Sequence, residues 1–240
     1  MEAGPPRRLD ALRRGTMSVN AALLEALRQD ILNGNVAAGI KLKIPALCER
    51  YVVNPGAVRE ALSRLVSEGL VEFADQRGFK STPVNVEGLR DITRIRVLIE
   101  SEALVDAMRN GDARWEGDIL ATQHRLLRLK RDPESTEAAE WTAVHKEFHM
   151  ALVAACTSPW LIRLHNLLYD QTERYRLISA AAGAVPQVST RNVEDEHSGL
   201  VQAVIARDEK IALKLMESHL LTTARRVEAA IRSAEQPSDQ

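Results

Sequence analysis

The stretch from Asn54 to Gly69 constrains this chain more than any other. Asn54 can cap a helix, because its side-chain oxygen accepts from a first-turn N–H that has no partner within the helix. Pro55 suits the first helical position, where no N–H is required. Val58, Ala61, Leu62, Leu65 and Val66 then recur at i, i+3, i+4, i+7 and i+8, an apolar stripe that has to face a core. Gly69 supplies the left-handed residue that ends a helix. Asn54, Gly56, Arg59 and Ser63 are left on the N-terminal, solvent-facing side.

The flanks turn this helix into part of a motif. Upstream, Pro45 to Tyr51 is long enough for one short helix, and Val52-Val53 reads as a compact apolar turn before the cap. Two helices so closely joined suggest helix-turn-helix packing. Downstream, Leu70 to Phe73 and Phe79 to Thr82 flank Ala74 to Gly78, which predicts a hairpin with a Gly-containing loop and Arg77 at its tip. Such a winged helix-turn-helix is built to enter DNA, although a small helical domain with no nucleic-acid ligand can carry the same local signals.

The formal charge of −1 argues against nucleic acid only until its distribution is inspected. Residues 1–82 hold 12 Lys/Arg against 9 Asp/Glu, a net +3, whereas the remainder holds 20 against 24, a net −4. The positive bias lies where phosphate neutralisation needs it. Cys48 and Cys156 are too few and too far apart for a disulfide framework or a thiolate zinc site, which favours a reducing cytoplasm. No run approaches the roughly 18 apolar residues of a membrane span, and Met1 to Arg8 lacks the apolar core of a signal peptide. Residues 1–16 read as a mobile arm, with Arg7, Arg8, Arg13 and Arg14 either solvated or touching phosphate.

With 240 residues and 45% hydrophobic content the chain is long enough for two domains. Residues 17–82 form the first, and the linker falls near 81–86, where Thr82-Pro83 interrupts the wing. From there helical periods persist almost to the end. Leu89, Ile92, Ile95, Ile99, Ala103 and Ala107 line one face of a helix ending at Asn110-Gly111. Further helices are predicted at 112–131, 136–156, 159–181, 190–206 and 209–233, divided at Asp132-Pro133, Ser158-Pro159, Ala182 to Pro186 and Arg207-Asp208. The fold class is therefore mainly α: a winged helix-turn-helix with a small β-hairpin, then an antiparallel bundle of about six helices over 83–233, with 234–240 as a tail. Ala180 to Ala184 reads as a small-residue loop.

All six histidines lie in the second domain. His145 and His149 share one helix face, a spacing able to chelate one metal ion. His197 and His219 sit on later helices, the latter among Ala212, Leu215, Met216 and Leu220. Facing helices of a bundle are an ordinary place for a metal or ligand site, yet isolated helical histidines are usually surface or core residues, and the pattern leaves both readings open. Some enzyme readings can be rejected. Glu147 points off the shared face of His145 and His149, so the zinc-protease base is missing, and no Pro-Cys-x-x-Cys follows to make a zinc deaminase. No Gly-rich phosphate loop and no Gly-x-Ser-x-Gly elbow is present.

Leu27 to Gly34, Gly39 to Leu42, Leu47, Val53, Val58-Arg59-Glu60-Ala61-Leu62, Leu65, Glu68 to Val71 and Arg77-Gly78 together resemble the winged-helix domain of GntR-type bacterial transcription regulators. The resemblance implies a DNA contact for Arg59 and a wing role for Gly78. Two departures stand out: Asn54-Pro55-Gly56 replaces the family's usual Ser-Arg-Thr, and Lys43-Ile44-Pro45 replaces an acidic or arginine-bearing stretch. The expected DNA-facing set is Lys43, Asn54, Gly56, Arg59, Ser63, Arg64, Arg77, Gly78 and Lys80.

The second half resembles the FCD ligand-binding domain of the FadR branch through Arg96-x-x-x-Glu100, Phe148-His149, Glu196-His197, Ala203 to Asp208, Ala212 and Ser218-His219-Leu220. The resemblance implies a divalent metal held by His149, His197 and His219, with His145 at the position of the family's aspartate. Four imidazoles favour zinc, with nickel, cobalt or copper as alternatives, over oxygen-preferring magnesium or manganese. By the same resemblance Arg96 contacts the carboxylate of a small-acid effector, although its i, i+4 spacing also permits a salt bridge to Glu100.

The expected protein is thus a non-enzymatic, homodimeric regulator, a repressor by resemblance, that binds a near-palindromic double-stranded operator and answers to an organic acid. A metal-dependent enzyme using the histidine cluster, with Glu196 as a weak base, and a metal-sensing regulator are the competing readings.

Overall fold

The computed structural model describes residues 18–129, 138–181 and 192–235, which form nine helices and one two-stranded sheet. They divide into two compact units, one running up to Asn85 and the other beginning at Val86, with Glu173–Ala181 grouped with the first. The expected N-terminal arm, 1–16, and residues 236–240 of the expected tail lie outside the described residues, whereas 234 and 235 continue the last helix.

In the first unit, α1 (Val19–Leu32), α2 (Ile44–Tyr51) and α3 (Pro55–Ser67) precede a hairpin of β1 (Val71–Ala74) and β2 (Gly78–Ser81). Ser18 Oγ caps α1 by accepting from Ala21 N at 3.2 Å, and Asn54 Oδ1 caps α3 by accepting from Ala57 N at 2.9 Å. Leu23, Leu27 and Ile31 of α1 meet Leu47 and Tyr51 of α2 and Val58, Leu62 and Leu65 of α3 in one apolar core. Val66, assigned to the same stripe, is instead exposed, and the buried face of α3 is Ala57, Val58, Ala61, Leu62 and Leu65. Val52 also departs from expectation: it adopts φ 55° at the end of α2 and is 69% exposed, so the turn packs through Val53 alone.

Buried Asp30 ties α1 to α2. Its carboxylate accepts from Arg50 Nη2 at 2.8 Å, Tyr51 Oη at 2.5 Å and Asn35 Nδ2 at 3.2 Å. A charge in an apolar core persists only when paired and hydrogen-bonded in this way. The hairpin pairs Val71 with Ser81 and Ala74 with Gly78 in antiparallel register, with left-handed Gln76 and Gly78 closing the wing. Lys41 adds a bridge to Lys80, laying a third backbone segment along β2 that the sequence pattern did not reveal.

The second unit contains α4 (Val86–Asn110), α5 (Ala113–Arg128), α6 (Ala138–Val153), most of α7 (Pro159–Ala181), α8 (Val193–Ile205) and α9 (Glu209–Glu235). Arg90 at the start of α4 meets Glu228 near the end of α9, while Arg109 at the end of α4 meets Glu209 at the start of α9, so these two helices run antiparallel. Leu104, Trp115, Ile119, Phe148, Leu152, Leu200, Val204 and Met216 form its core. The α5 helix is locked to α6 by Trp115 Nε1 donating to Ala151 O at 2.8 Å.

Two expectations need correction here. The inward face of α4 is Leu89, Thr93, Arg96, Glu100, Ala103, Leu104 and Ala107, whereas Ile92, Ile95 and Ile99 are only half-buried. Arg96 and Glu100 can occupy that face because each neutralises the other. The helix expected over 159–181 is α7, so Ala180 and Ala181 belong to it and not to the small-residue loop that also took them in, and the rest of that loop lies outside the described residues.

Candidate functional site

The side chains singled out from sequence fall into two groups, each within one unit. In the first, Asn54, Gly56, Arg59, Ser63 and Arg64 are all exposed on α3, and Lys43, Arg77 and Lys80 are exposed near it in sequence, with Gly78 at the wing turn. Not all of these groups are equally available. Asn54 Oδ1 is committed to its cap, which leaves its amide nitrogen to reach outward. Arg64 Nη2 is paired with Glu60 Oε1 at 2.9 Å, and Glu60 also accepts from Asn20 Nδ2 at 2.8 Å. Arg59 has no ion pair among the described residues, so its guanidinium is the readiest donor on the helix.

In the second unit, α6 places His145 and His149 one turn apart, α8 brings in His197 and α9 brings in His219. One ring nitrogen of each lies within 4.8 Å of the others, and all four side chains are buried. The four histidines singled out from sequence therefore converge on one point. Trp141, one turn before His145, stacks on its ring at 4.6 Å between centroids, and Phe148 lies 4.7 Å from the ring of His197. These aromatic walls restrict how the imidazoles can turn.

Both ring nitrogens of His149 are buried without a hydrogen-bond partner. Burial, then the positive potential of His219 and Arg96, holds its pKa well below the ordinary imidazole value. His149 is consequently neutral, the form in which an imidazole donates to a metal. A buried, neutral and unpartnered imidazole facing three others fits a divalent ion of the zinc class, for which nitrogen donors are well suited.

Hydrogen bonds steady the cluster from outside. His145 Nδ1 lies 2.9 Å from the Tyr169 hydroxyl on α7, and His219 Nδ1 lies 2.8 Å from Glu196 Oε2 on α8. Sequence reasoning missed Tyr169 entirely and read Glu196 as the neighbour of His197 and as a weak base in the enzyme reading, not as a partner of His219. Neither contact has a periodic signature, since the partners are 24 and 23 residues apart. Glu147 is turned outward to Arg125 at 2.7 Å, away from the imidazoles.

Arg96 sits beside this cluster, its guanidinium 4.9 Å from the Tyr169 ring centroid and its Nε donating to Glu100 Oε1. Burial alone would push the Glu100 carboxyl up, but the Arg96 charge and nearby His165 outweigh it and hold the pKa down to about 2. His165 Nδ1 is 3.5 Å from Glu100 Oε1, and both groups are fully buried. The i, i+4 salt bridge permitted by sequence is therefore formed.

The comparisons with known proteins agree with this division. Residues 19–80 match the family described as bacterial regulatory proteins, gntR family, and residues 91–222 match the FCD domain. The HTH-type transcriptional regulator BphR of Paraburkholderia xenovorans is 40% identical over 207 residues, covering 85% of this chain and 82% of that protein. The HTH-type transcriptional repressor GlaR of Escherichia coli is 36% identical over 197 residues, covering 82% and 90%. The solved structure of Escherichia coli McbR/YncC shares the fold at a TM-score of 0.72 and 19% identity, covering 88% of this chain and 98% of that one. These relatives are transcription regulators rather than enzymes, and no described helix is long and apolar enough to cross a membrane. A capped, solvent-facing α3 followed by a wing, and a separate helical unit with four converging histidines, thus sit in the segments where both families match: the chain is a transcription regulator of the gntR family with a C-terminal FCD domain.

Proposed function

We propose that the protein is an effector-controlled repressor that binds a near-palindromic operator as a homodimer, one α3 helix per half-site. Two-fold protein symmetry then matches two-fold operator symmetry. Arg59 reads a base or phosphate, Lys43, Asn54, Gly56 and Ser63 face the same groove, Arg64 and Lys80 neutralise phosphate, and Arg77-Gly78 approach the adjoining groove. The relative GlaR is a transcriptional repressor, which supports the direction of control.

His145, His149, His197 and His219 would hold a divalent metal, zinc foremost, with nickel, cobalt or copper as alternatives. The observation that carries this reading is His149, buried with both nitrogens unpartnered among three other imidazoles. Once bound, the ion would supply positive charge that ties α6, α8 and α9 together and attracts a carboxylate. Arg96, adjoining the cluster, provides the second cationic contact for a small organic acid by exchanging its bond to Glu100 for one to the effector. An effector shifts DNA occupancy only by binding one state of the dimer more tightly, and a coupling of about 1–3 kcal/mol is enough to change promoter occupancy.

The test uses full-length protein purified without nickel resin. Elemental analysis should find about one divalent ion per chain, and His149→Ala should lose it. Selection of bound DNA from a random pool should return an inverted repeat, released by one member of an organic-acid panel. Absence of stoichiometric metal, or a selected site without two-fold symmetry, overturns the corresponding part. The four-histidine set also favours a metal-sensing reading, since four protein ligands are typical of closed sites; chelation that abolishes operator binding with no acid present would select it.

A further inference from the structure

Four imidazoles can share one ion only if each presents an unprotonated nitrogen to the same point. A neutral imidazole carries one N–H and one bare nitrogen, and which is which depends on the hydrogen bond made on the far side of the ring. His219 and His145 each have such a far-side partner, supplied by another helix.

The stronger case is His219. Its Nδ1 lies 2.8 Å from Glu196 Oε2, and an ionised carboxylate can only accept, so Nδ1 carries the proton and Nε2 is the bare nitrogen. The His145 Nδ1 contact with Tyr169 at 2.9 Å sits in a fully enclosed setting, with Tyr169 only 2% exposed and Trp141 stacked on the imidazole. A phenol can donate or accept, and only by accepting from Nδ1–H does it leave Nε2 as the donor atom, the arrangement a shared ion requires of His145. The face of the Tyr169 ring carries the Arg96 guanidinium at 4.9 Å, which holds the phenol in place.

From this geometry we infer that Glu196 and Tyr169 are positioning residues of the histidine site: acting through His219 and His145, they set both rings as Nδ1–H tautomers and aim Nε2 at the common point. This rests on the metal reading proposed above. Glu196 has a second effect. The imidazoles bring no negative charge, and Glu196 places a carboxylate one hydrogen bond from the centre, polarising His219 toward a stronger donor. Tyr169 contributes orientation without charge.

The experiment compares wild type with Glu196→Gln, Glu196→Ala and Tyr169→Phe, all full-length and stripped of metal. Long-range proton–nitrogen NMR of the stripped proteins reads the tautomers directly. Wild type should show Nδ1–H at His145 and His219, with His219 altered in Glu196→Ala and His145 altered in Tyr169→Phe. Zinc affinity, measured by competition with a chromophoric chelator, should fall about 10–100-fold in Glu196→Ala and Tyr169→Phe. Glu196→Gln, whose amide oxygen still accepts, should fall less than Glu196→Ala. Melting of the metal-free variants within a few degrees of wild type separates positioning from packing. Wild type that binds zinc with variants that bind it equally well overturns the positioning roles alone. Wild type that binds no zinc overturns the metal reading and these roles with it. Affinity losses matched by collapse of the metal-free fold, with unchanged tautomers, overturn the inference in favour of packing.

Discussion

Arg96 and Glu100 form an ion pair within the buried face of α4, their side chains 7% and 0% exposed. Replacing Glu100 by Gln leaves the guanidinium buried without a counter-charge, a change that typically costs about 3–5 kcal/mol. Because the folded pKa of Glu100, about 2, lies below its ordinary 4.5, its contribution is fully present above pH 4.5 and is lost as the pH falls toward 2. Urea denaturation monitored in the second unit across that window should show stability falling with acid in wild type, and a flatter profile in Glu100→Gln.

Arg59 and Arg64 stand on the same helix but differ in what they must give up to reach DNA. Arg59→Ala should weaken operator binding by about 1–3 kcal/mol if the guanidinium reads a guanine. Arg64→Ala should cost less, because its 2.9 Å pair with Glu60 competes with phosphate and is lost together with the phosphate contact. Fluorescence anisotropy at several salt concentrations separates the two. A phosphate contact lowers the salt slope by about one without altering sequence preference.

Asp30→Ala removes the acceptor shared by Arg50 and Tyr51 in the core of the first unit. Loss of one partner of a buried ion pair predicts destabilisation of about 3–5 kcal/mol. The melting transition of this unit should drop, and operator affinity should fall with it at temperatures above the new midpoint. Affinity measured well below that midpoint should be near wild type, since no DNA-facing side chain has changed.

Gly111→Ala tests the junction between α4 and α5. A Cβ there would lie 2.0 Å from Trp115 Cε3, so the indole would have to leave its place and give up its bond to Ala151 O. Overpacking of this kind costs about 1–3 kcal/mol. Calorimetry should show a lower melting temperature, and tryptophan fluorescence should shift as Trp115 gains access to water.

The first unit was largely readable because its signals are local. Asn54, Pro55 and Gly69 mark the ends of α3 through backbone chemistry that needs no tertiary partner, and the hairpin was evident from its flanking apolar runs. The α1 helix was not predicted as an element, its end entering only through the resemblance of Leu27 to Gly34, and Lys41 pairs with Lys80 through backbone atoms that carry no side-chain pattern. In α4 the isoleucines drew attention to the wrong face, because hydrophobicity alone does not reveal that a matched charge pair can lie inward. His145 and His149 were legible as a one-turn pair. His197 and His219 joined them by resemblance and then by packing, whereas Tyr169 and Glu196 act across helices at separations that leave no imprint on composition or period.

The cap of α3 has an implication for redesign. An added Cβ at Gly56 would sit 3.1 Å from Asn54 Oδ1, the atom that accepts from Ala57 N. Grafting another regulator's recognition residues onto this scaffold one at a time would therefore loosen the helix start before it altered base preference. Positions 54 and 56 behave as a coupled pair whose effects should not add, so an exchange of operator specificity has to move both together.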